Sequence, residues 1–184
     1  TQNGNVSLLN IVNTDTLNGK AVKLRYRGAA NSDDIYDITV FLSPGDMWSA
    51  NVSQVDGVSK LTTNDNSCTL PAEKAAINVP FGTSRLGVAG SDNKAGTLEG
   101  YVEILNMADV VPGTAVYTAT KHVNGVLPAP CALGAVLPSA SPLRPLLTQA
   151  GINSAGFSNP TSGLFANWSI IDLNDGAAWS GAAT

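Results

Sequence analysis

The sequence predicts an all-β protein, a mostly antiparallel β-sandwich or jelly-roll-like barrel with long loops and at most one or two short helices. Segments of alternating apolar and polar residues follow one another along the chain, and clusters of Asn, Asp, Gly and Pro separate them. No regular helix is predicted between successive strands, which favours antiparallel pairing. The 184 residues are expected to form one β-rich domain spanning 1–184.

The first two strands are predicted from an apolar run and a strict alternation. Val6–Val12 is apolar and bounded by Asn-rich turns, so we expect a buried strand there. Within Lys20–Arg27, Val22, Leu24 and Tyr26 are expected to point inward. The basic residues of this stretch are interpreted as the solvent-facing side of the strand. They are Lys20, Lys23, Arg25 and Arg27.

The next three strands are joined by short turns. Ile35–Leu42 is predicted to place Tyr36, Ile38, Val40 and Leu42 on one face. A turn at residues 43–46, with Pro followed by Gly, leads into the strand Met47–Ser53, in which Trp48, Ala50 and Val52 share a face. Asp56 and Gly57 then form the tip of a tight hairpin whose second strand is Val58–Thr63.

The strand signal weakens between residues 64 and 96, where we expect long loops and one helical turn at Pro71–Ala76. Gly100–Met107 is again a strand, and Thr114–Val123 fits either a strand or a short helix. Prolines between 128 and 145 exclude a long central strand, and Leu143–Ala150 is a predicted helix. The final predicted strand is Gly163–Leu173. The small-residue-rich end after it shows no closing strand, which suggests the N-terminal fragment of a longer protein.

Composition excludes several classes of protein. Only 13% of residues are charged, the net charge is −4 and the pI is about 4.7, so the basic surface that nucleic-acid binding requires is missing. No apolar run reaches the length of a transmembrane segment. A polar but weakly charged surface is typical of secreted and surface-displayed bacterial β-proteins, and an ordinary soluble domain fits it equally well. The chain begins with Thr1, as after signal removal, so export is inferred.

The chain has two cysteines, Cys68 and Cys131, and they are 63 positions apart. This separation excludes the local Cys-x-x-Cys spacing of redox and zinc sites. A structural disulfide is favoured over two buried free thiols. Closing a loop of this length removes about 4 kcal/mol of unfolded-state freedom in the chain-entropy model.

Catalytic motifs are largely missing. His122 is the single histidine, which excludes a three-His zinc site, and no Gly-x-Ser-x-Gly elbow presents a nucleophile to it. A glycosidase needs two carboxylates, and Glu99 and Glu103 are expected on one face of a strand; solvated strand-face acids are the alternative interpretation. An exposed aromatic surface for sugars is not predicted, because Trp48 and Trp168 alternate as core residues, which leaves Trp179 alone.

Oxygen-rich turns suit calcium better than a transition metal. The candidate ligands are Asp33, Asp34, Asp65, Asp92 and Asp175, with His122 as a further metal candidate. None of these turns has EF-hand spacing, and Asp is also an ordinary turn residue. A minor interpretation is a copper-type site built from His122, Met47 and Met107; His122 as a loop or packing residue is the alternative.

Several runs of the sequence resemble a family of exported or cell-surface proteins of Gram-negative bacteria. The runs are residues 10–14, 19–27, 37–48, 65–69, 99–104, 122–125 and 164–176. The resemblance implies export to the outer face of the cell, and members often continue beyond the point matching Thr184. It carries over no catalytic residues.

Two classes of function are therefore predicted. The first is a non-catalytic extracellular or cell-surface protein, a structural subunit or binding module, with other copies of itself or cell-surface material as partners. The second is a secreted enzyme or accessory domain acting on polysaccharide. In an assembly, we expect Val6–Val12 to add to the sheet edge of a neighbour.

Overall fold

The computed structural model describes residues 1, 4–72, 74–87, 93–123, 131, 133 and 148–183. In these ranges the alternating segments of the sequence form ten strands. They are β1 Asn5–Asn13, β2 Gly19–Gly28, β3 Asp34–Leu42, β4 Met47–Val55, β5 Val58–Thr62, β6 Cys68–Leu70, β7 Gly100–Val110, β8 Phe157–Ser158, β9 Leu164–Asp172 and β10 Ala178–Ala182. The same ranges contain three short α-helices, against the one or two expected: α1 Lys74–Ile77, α2 Ala115–Thr120 and α3 Gln149–Ser154.

The strands form two five-stranded sheets, and every strand pair in them is antiparallel. Sheet I has the order β10-β9-β1-β4-β5, and sheet II has the order β6-β3-β2-β7-β8. The predicted β-sandwich class is therefore confirmed. The predicted Asp56-Gly57 hairpin is also present, with Val55 opposite Val58.

The main core lies between the two sheets and follows the period-two alternation of the strands. From sheet II, Val22, Leu24 and Ile38 are fully buried, and from sheet I, Ile11 and Trp48 are fully buried. The inward faces predicted for β2, β3 and β4 are confirmed by this burial. A side chain lost from this layer would leave a cavity costing about 2–5 kcal/mol.

A second cluster covers the opposite face of sheet II. Ala21 and Phe41 alternate with the main-core residues and so point to the outside of the sheet, where Val116 of α2 and Leu133 pack on them. Thr114 caps α2, because its side chain accepts a hydrogen bond from the backbone N–H of Tyr117. The segment Thr114–Val123, for which the sequence fits either a strand or a short helix, thus contains a short helix.

The disulfide predicted from the sequence joins Cys68 and Cys131, with the Cα atoms 5.2 Å apart. Cys68 lies on β6, beside β3, and is buried in the second cluster. The bond therefore fastens the edge of sheet II to a distant loop.

Three expectations about strands and faces are wrong. Val6–Val12 is a strand, but β1 pairs with β4 on one side and β9 on the other, so it has no free edge to offer a neighbour. The chain does have a closing strand, β10, reached through a turn in which Asp172 accepts from the backbone N–H of Asn174 and Gly176 takes a φ of +66°. The turn residues after β9 indicate that the chain reverses direction there. The small residues of β10 show no strand pattern, so the strand itself was not predicted.

Lys20 is the third case, because it is fully buried and does not face solvent. Alternation places it on the same side as Val22, and its ammonium group lies 2.6 Å from Asp109 Oδ1 and 3.3 Å from Asp15 Oδ2. Thr161 Oγ1 accepts another hydrogen bond from it at 2.8 Å. Two carboxylates and a hydroxyl replace the water that the ammonium group loses.

The region between 64 and 96 contains β6 and α1 within its loops. Most of the predicted helix Leu143–Ala150 and the proline-rich stretch before it lie outside the described residues; α3 begins at Gln149. Within the described ranges, no helix is long and apolar enough to cross a membrane.

Candidate functional site

A cavity of about 540 Å³ opens between the two sheets, where β1 and β9 of sheet I face β2 and β7 of sheet II. Its apolar walls include Leu9 and Val52 from sheet I, with Ile35, Phe81 and Val102 on the other side. These residues belong to the main core or pack against it. The cavity is thus an unfilled end of the sandwich core.

Trp168 lies at the mouth of the cavity, and there the structure differs most clearly from the sequence prediction. Trp168 alternates with Ala166 and Ile170 on the inner face of β9, yet its side chain is 38% exposed, so the core assignment for Trp168 is wrong. Trp179 lies opposite Ile170 on β10, which puts it on the same face, and it is 53% exposed. The inner face of sheet I therefore continues past the closed core as an open aromatic surface.

Gly181 explains how Trp168 lies over β10. The two residues are directly opposite in the β9–β10 pair. A Cβ atom at Gly181 would come within 2.9 Å of Trp168 Cζ2, so a side chain there would displace the indole. The glycine keeps the tryptophan at the cavity mouth.

Tyr26 is a cavity-lining residue whose hydroxyl group is buried. It is only 8% exposed, and its ring packs 5.1 Å from Phe81 and 5.8 Å from Tyr36, centroid to centroid. Its hydroxyl group makes no hydrogen bond with any described residue. Burial raises the pKa of Tyr26 above its ordinary value, so the hydroxyl stays protonated.

Polar groups at the rim of the cavity are mostly engaged with one another. Thr97 Oγ1 accepts from the Ser59 backbone N–H at 2.9 Å, and the hydroxyls of Thr1 and Ser59 lie 2.7 Å apart. Arg27 Nε donates to Glu103 Oε2 at 3.0 Å. Glu99 is exposed and is the single carboxylate among the described residues that line the cavity.

The two predicted catalytic acids are not brought to one site. Glu99 lines the cavity, whereas Glu103 points to the outer face of sheet II, where Arg27 and Arg25 lie 3.0 and 3.9 Å from it. Asp109, a further acid of β7, is buried against Lys20. A glycosidase needs two carboxyl groups about 5–10 Å apart around one bond, and the described lining does not supply the pair.

His122 lies in a separate, shallower depression beside Ser43, Asp46 and Asp65. Its Nδ1 atom is 3.1 Å from Asp46 Oδ2 and 3.1 Å from Ser43 Oγ, and its backbone N–H donates to the same Ser43 Oγ at 2.8 Å. A catalytic triad requires the serine on Nε2 and the aspartate on Nδ1. Here both contact one nitrogen, so the cluster fastens a loop rather than activating a nucleophile.

The candidate calcium ligands are used as turn and ion-pair residues. Asp65 accepts from the backbone N–H groups of Ser67 and Ser49, at 2.8 and 3.3 Å. Asp33 lies 3.8 Å from Arg85, and Asp34 lies 3.9 Å from Arg25.

Other metal candidates are equally scattered. Asp175 lies in the turn before β10, and Asp92 is outside the described residues. Met47 lines the His122 depression, whereas Met107 is on β7. In the described part of the chain, no three His, Cys, Asp or Glu side chains are grouped to hold a metal, so calcium and copper stay predictions.

The comparisons with known proteins give no neighbour from which to infer a site. No protein-family model, no curated protein and no solved structure matches this chain.

Apart from Glu99 and Arg27, the residues that line the cavity were predicted as core residues or had no predicted role. Alternation correctly placed Tyr26 and Trp168 on inner faces, but it carries no information on how far the opposite sheet extends over each strand. The usable signal was local. Trp168, Ile170 and Trp179 share one face of the last two strands, so three large apolar side chains are grouped close to the edge of the sheet.

Proposed function

We propose that this chain is a non-catalytic binding module of an exported or cell-surface protein, and that its ligand occupies the cavity between the sheets. The observation that carries the proposal is the continuous inner surface formed by Trp168 and Ile170 at the mouth and Leu9 and Val52 further in. A cavity of about 540 Å³ is in the range that small-molecule ligands occupy.

Export is supported by the disulfide of the chain and by its low content of charged residues. A disulfide joins Cys68 and Cys131, and such bonds persist in oxidising compartments. Charged residues make up 13% of the sequence. The resemblance to Gram-negative exported proteins points the same way.

Binding without catalysis fits the lining better than polysaccharide hydrolysis does. Among the described lining residues Glu99 supplies the one carboxylate, and Glu103, the other predicted acid, is paired with Arg27 on the outer face of sheet II. The inner walls are aliphatic and aromatic. These groups favour an apolar body, and they give no partners to a series of sugar hydroxyls.

The test compares two exposed aromatic residues on the two faces of β9. Trp168→Ala removes the cavity mouth, whereas Phe165→Ala removes a 47% exposed side chain that is outside the cavity lining. A screen of small apolar compounds and soluble oligosaccharides, read by NMR shift changes, identifies binders. We expect Trp168→Ala to weaken binding at least tenfold and Phe165→Ala to leave it unchanged. Absence of binders, or equal effects of the two substitutions, contradicts the proposal.

A structural subunit is the second candidate, and the edge of sheet I favours it. The terminal strands at the other sheet edges are poor templates for an added strand. At β5, Pro80 forms a bridge with Lys60. In sheet II, β6 has three residues and is followed by Pro71, and β8 has two residues. By contrast, β10 has five residues without charge or proline. Such an edge is a template for strand addition.

The backbone of β10 matches a second copy of itself. Asp172 N–H donates to Ala177 O and Ala183 N–H to Ala166 O, so odd-numbered residues of β10 bond to β9. Ala178, Ser180 and Ala182 therefore turn their backbone groups to the edge of sheet I, where no described strand pairs with β10. A two-fold axis at Ser180 would pair Ala178 with the partner's Ala182, each pair exchanging two hydrogen bonds.

Ser180→Pro tests this assembly, since residue 180 makes no ladder bond to β9 and proline removes only the outward N–H group. Ser180→Ala keeps that N–H and serves as the control. We expect a concentration-dependent dimer in sedimentation velocity for the natural chain and Ser180→Ala, and a monomer for Ser180→Pro. A monomeric natural chain at high concentration contradicts the structural-subunit candidate.

A further inference from the structure

We propose that an extended segment of another polypeptide adds as a strand to the edge of β7 and places alternate apolar side chains in the cavity. This inference rests on the proposed binding function, because it names the class of ligand that the cavity holds. Two independent features of the sandwich support it, the pairing of β7 and the difference in width between the two sheets.

Most of β7 is paired on one side only. It pairs with β2 from Gly100 to Val110, whereas β8 pairs with Asp109 and Val110. On that second side, no described strand lies beside residues 100–105. This stretch contains no proline or lysine, the residues that commonly protect a sheet edge, and its one charged residue, Glu103, is paired with Arg27.

The unpaired edge presents the backbone groups of Val102 and Ile104. Ala29 N–H donates to Glu99 O at 3.0 Å, and from there the β2–β7 register continues without a shift through residue 105. Every second residue of an antiparallel strand bonds to the same neighbour, so the odd-numbered residues of this stretch bond to β2. Val102 and Ile104 therefore turn N–H and C=O outward. A polypeptide backbone offers the complementary groups at the same spacing.

Sheet I is wider than sheet II on this side of the sandwich. Across the cavity β1 and β9 face β2 and β7, and sheet I continues beyond β9 with β10. Sheet II has no described strand opposite β10 at this level, because β8 lies at the other end of β7. Trp168 and Trp179 on the inner face of sheet I are accordingly exposed. A strand added beside β7 would cover them.

The position of the added strand determines its side-chain pattern. Val102 and Ile104 pack against the main core, so the residues directly opposite them point to the same inner face. Trp168 and Ile170 line the cavity there and favour apolar side chains. The segment therefore has an apolar residue at every second position. The exposed carboxylate of Glu99, just before β7, favours a basic residue at that end.

The edge of a second copy does not fit this place through its own β7. Neighbouring strands of a sheet lie about 4.8 Å apart, and β10 extends one strand further than β7. Two copies joined through their β7 edges would bring their β10 strands into the same space. A single extended segment fits between β7 and the overlying β10.

The experiment measures amide hydrogen exchange by NMR in the full chain, with and without peptide. The probes are a pool of capped peptides of about seven residues, with Val, Ile, Leu or Phe at every second position and Thr or Lys between them. The tightest binder is made again in two N-methylated forms, one methylated at its apolar residues and one at its polar residues. In the proposed pairing only the N–H groups of the apolar residues donate to β7.

We expect exchange at the Val102 and Ile104 N–H groups to slow about tenfold or more when peptide saturates the chain. The Glu103 N–H, which bonds to β2, is the internal control and should change less. Methylation of the apolar residues should weaken binding about tenfold or more, and methylation of the polar residues should change it less than about twofold.

A protein variant tests the same edge from the other side. Val102→Pro removes one outward N–H group and no bond to β2, so it should weaken peptide binding about tenfold. Val102→Ala keeps that N–H and controls for the lost side chain, so it should weaken binding less. Retained exchange protection of the β2 amides shows that Val102→Pro is folded, and the N-methylated peptides test the pairing independently of this variant.

Several outcomes overturn strand addition: no binder in the pool, equal affinity of the two N-methylated forms, or unchanged exchange at Val102 and Ile104 when peptide is bound. Slow exchange of both groups in the chain alone also overturns it, and loss of that protection on dilution would assign the edge to a second copy. In each case, Trp168-dependent binding of small apolar compounds leaves the binding module standing. The proposed function falls only when those compounds also fail to bind.

Discussion

Tyr26 and Tyr36 pack edge to face with ring centroids 5.8 Å apart, but they differ in the hydrogen bonding of their hydroxyl groups. Tyr36 Oη donates to Ile77 O at 2.8 Å, whereas Tyr26 Oη is buried without a described partner. The two residues lie opposite each other on β2 and β3. They therefore form a matched pair for measuring what an unpaired hydroxyl costs this fold.

Removing the Tyr26 hydroxyl is expected to stabilise the protein. Tyr26→Phe deletes an unpaired buried polar atom and keeps the ring contacts, so the free energy of unfolding without ligand should rise by about 1 kcal/mol. Tyr36→Phe deletes a paired hydroxyl and leaves Ile77 O without its partner, so it should lower the same quantity by about 1 kcal/mol. Urea denaturation measures both. A loss of stability in Tyr26→Phe equal to that in Tyr36→Phe would show that its hydroxyl is already satisfied.

Lys20 offers a second test, because its ammonium group is buried between Asp109 and Asp15. Lys20→Met leaves the buried carboxylate of Asp109 and the partly buried one of Asp15 without their cation, and should lower the free energy of unfolding by about 3–5 kcal/mol. Lys23→Met is the control, since Lys23 forms a partly exposed pair with Asp37 at 2.9 Å on the same strand. That change should cost less than about 1 kcal/mol. Equal losses in the two variants, measured by urea denaturation, would contradict a special role for the buried pair.

The strands and their inward faces could be predicted because both depend on short-range patterns. The β2 residues Val22 and Leu24 alternate with charged residues, and the structure buries them. The Asp56-Gly57 tip was predictable because that dipeptide adopts the turn that a two-residue hairpin needs.

The cavity could not be predicted, because it depends on how two sheets overlap. Whether Trp168 is covered depends on the reach of β7 and β2 across the sandwich, which no local pattern encodes. The prediction that Lys20 faces solvent was wrong for a related reason. Its neutralising partners, Asp15 and Asp109, come from a loop and from β7, and no local pattern indicates that they neutralise a buried lysine.

Asp15 should make stability depend on pH in acid. The backbone N–H groups of Asn18 and Leu17 donate to its Oδ1 at 3.0 and 2.8 Å and hold the pKa of Asp15 well below its usual range. A lowered folded-state pKa stabilises the protein above the ordinary aspartate value of about 4, and this contribution is lost as the pH falls through the lower value. Asp15→Asn should therefore flatten the decline in unfolding free energy below about pH 4. An identical decline in the variant, followed by denaturation at several pH values, would contradict this.

The disulfide should matter for stability and not for the cavity. Cys68 is buried in the second cluster on the outer face of sheet II, and no residue of that cluster lines the cavity. Opening the loop between Cys68 and Cys131, which spans 63 positions, is expected to lower the free energy of unfolding by about 4 kcal/mol. Reduction and the double substitution Cys68→Ala/Cys131→Ala test this independently, because only the second also removes side-chain volume. At temperatures where the reduced protein stays folded, NMR titration should give an unchanged affinity for cavity ligands. A weakened affinity there would mean that the two faces of sheet II are coupled through β2 and β3.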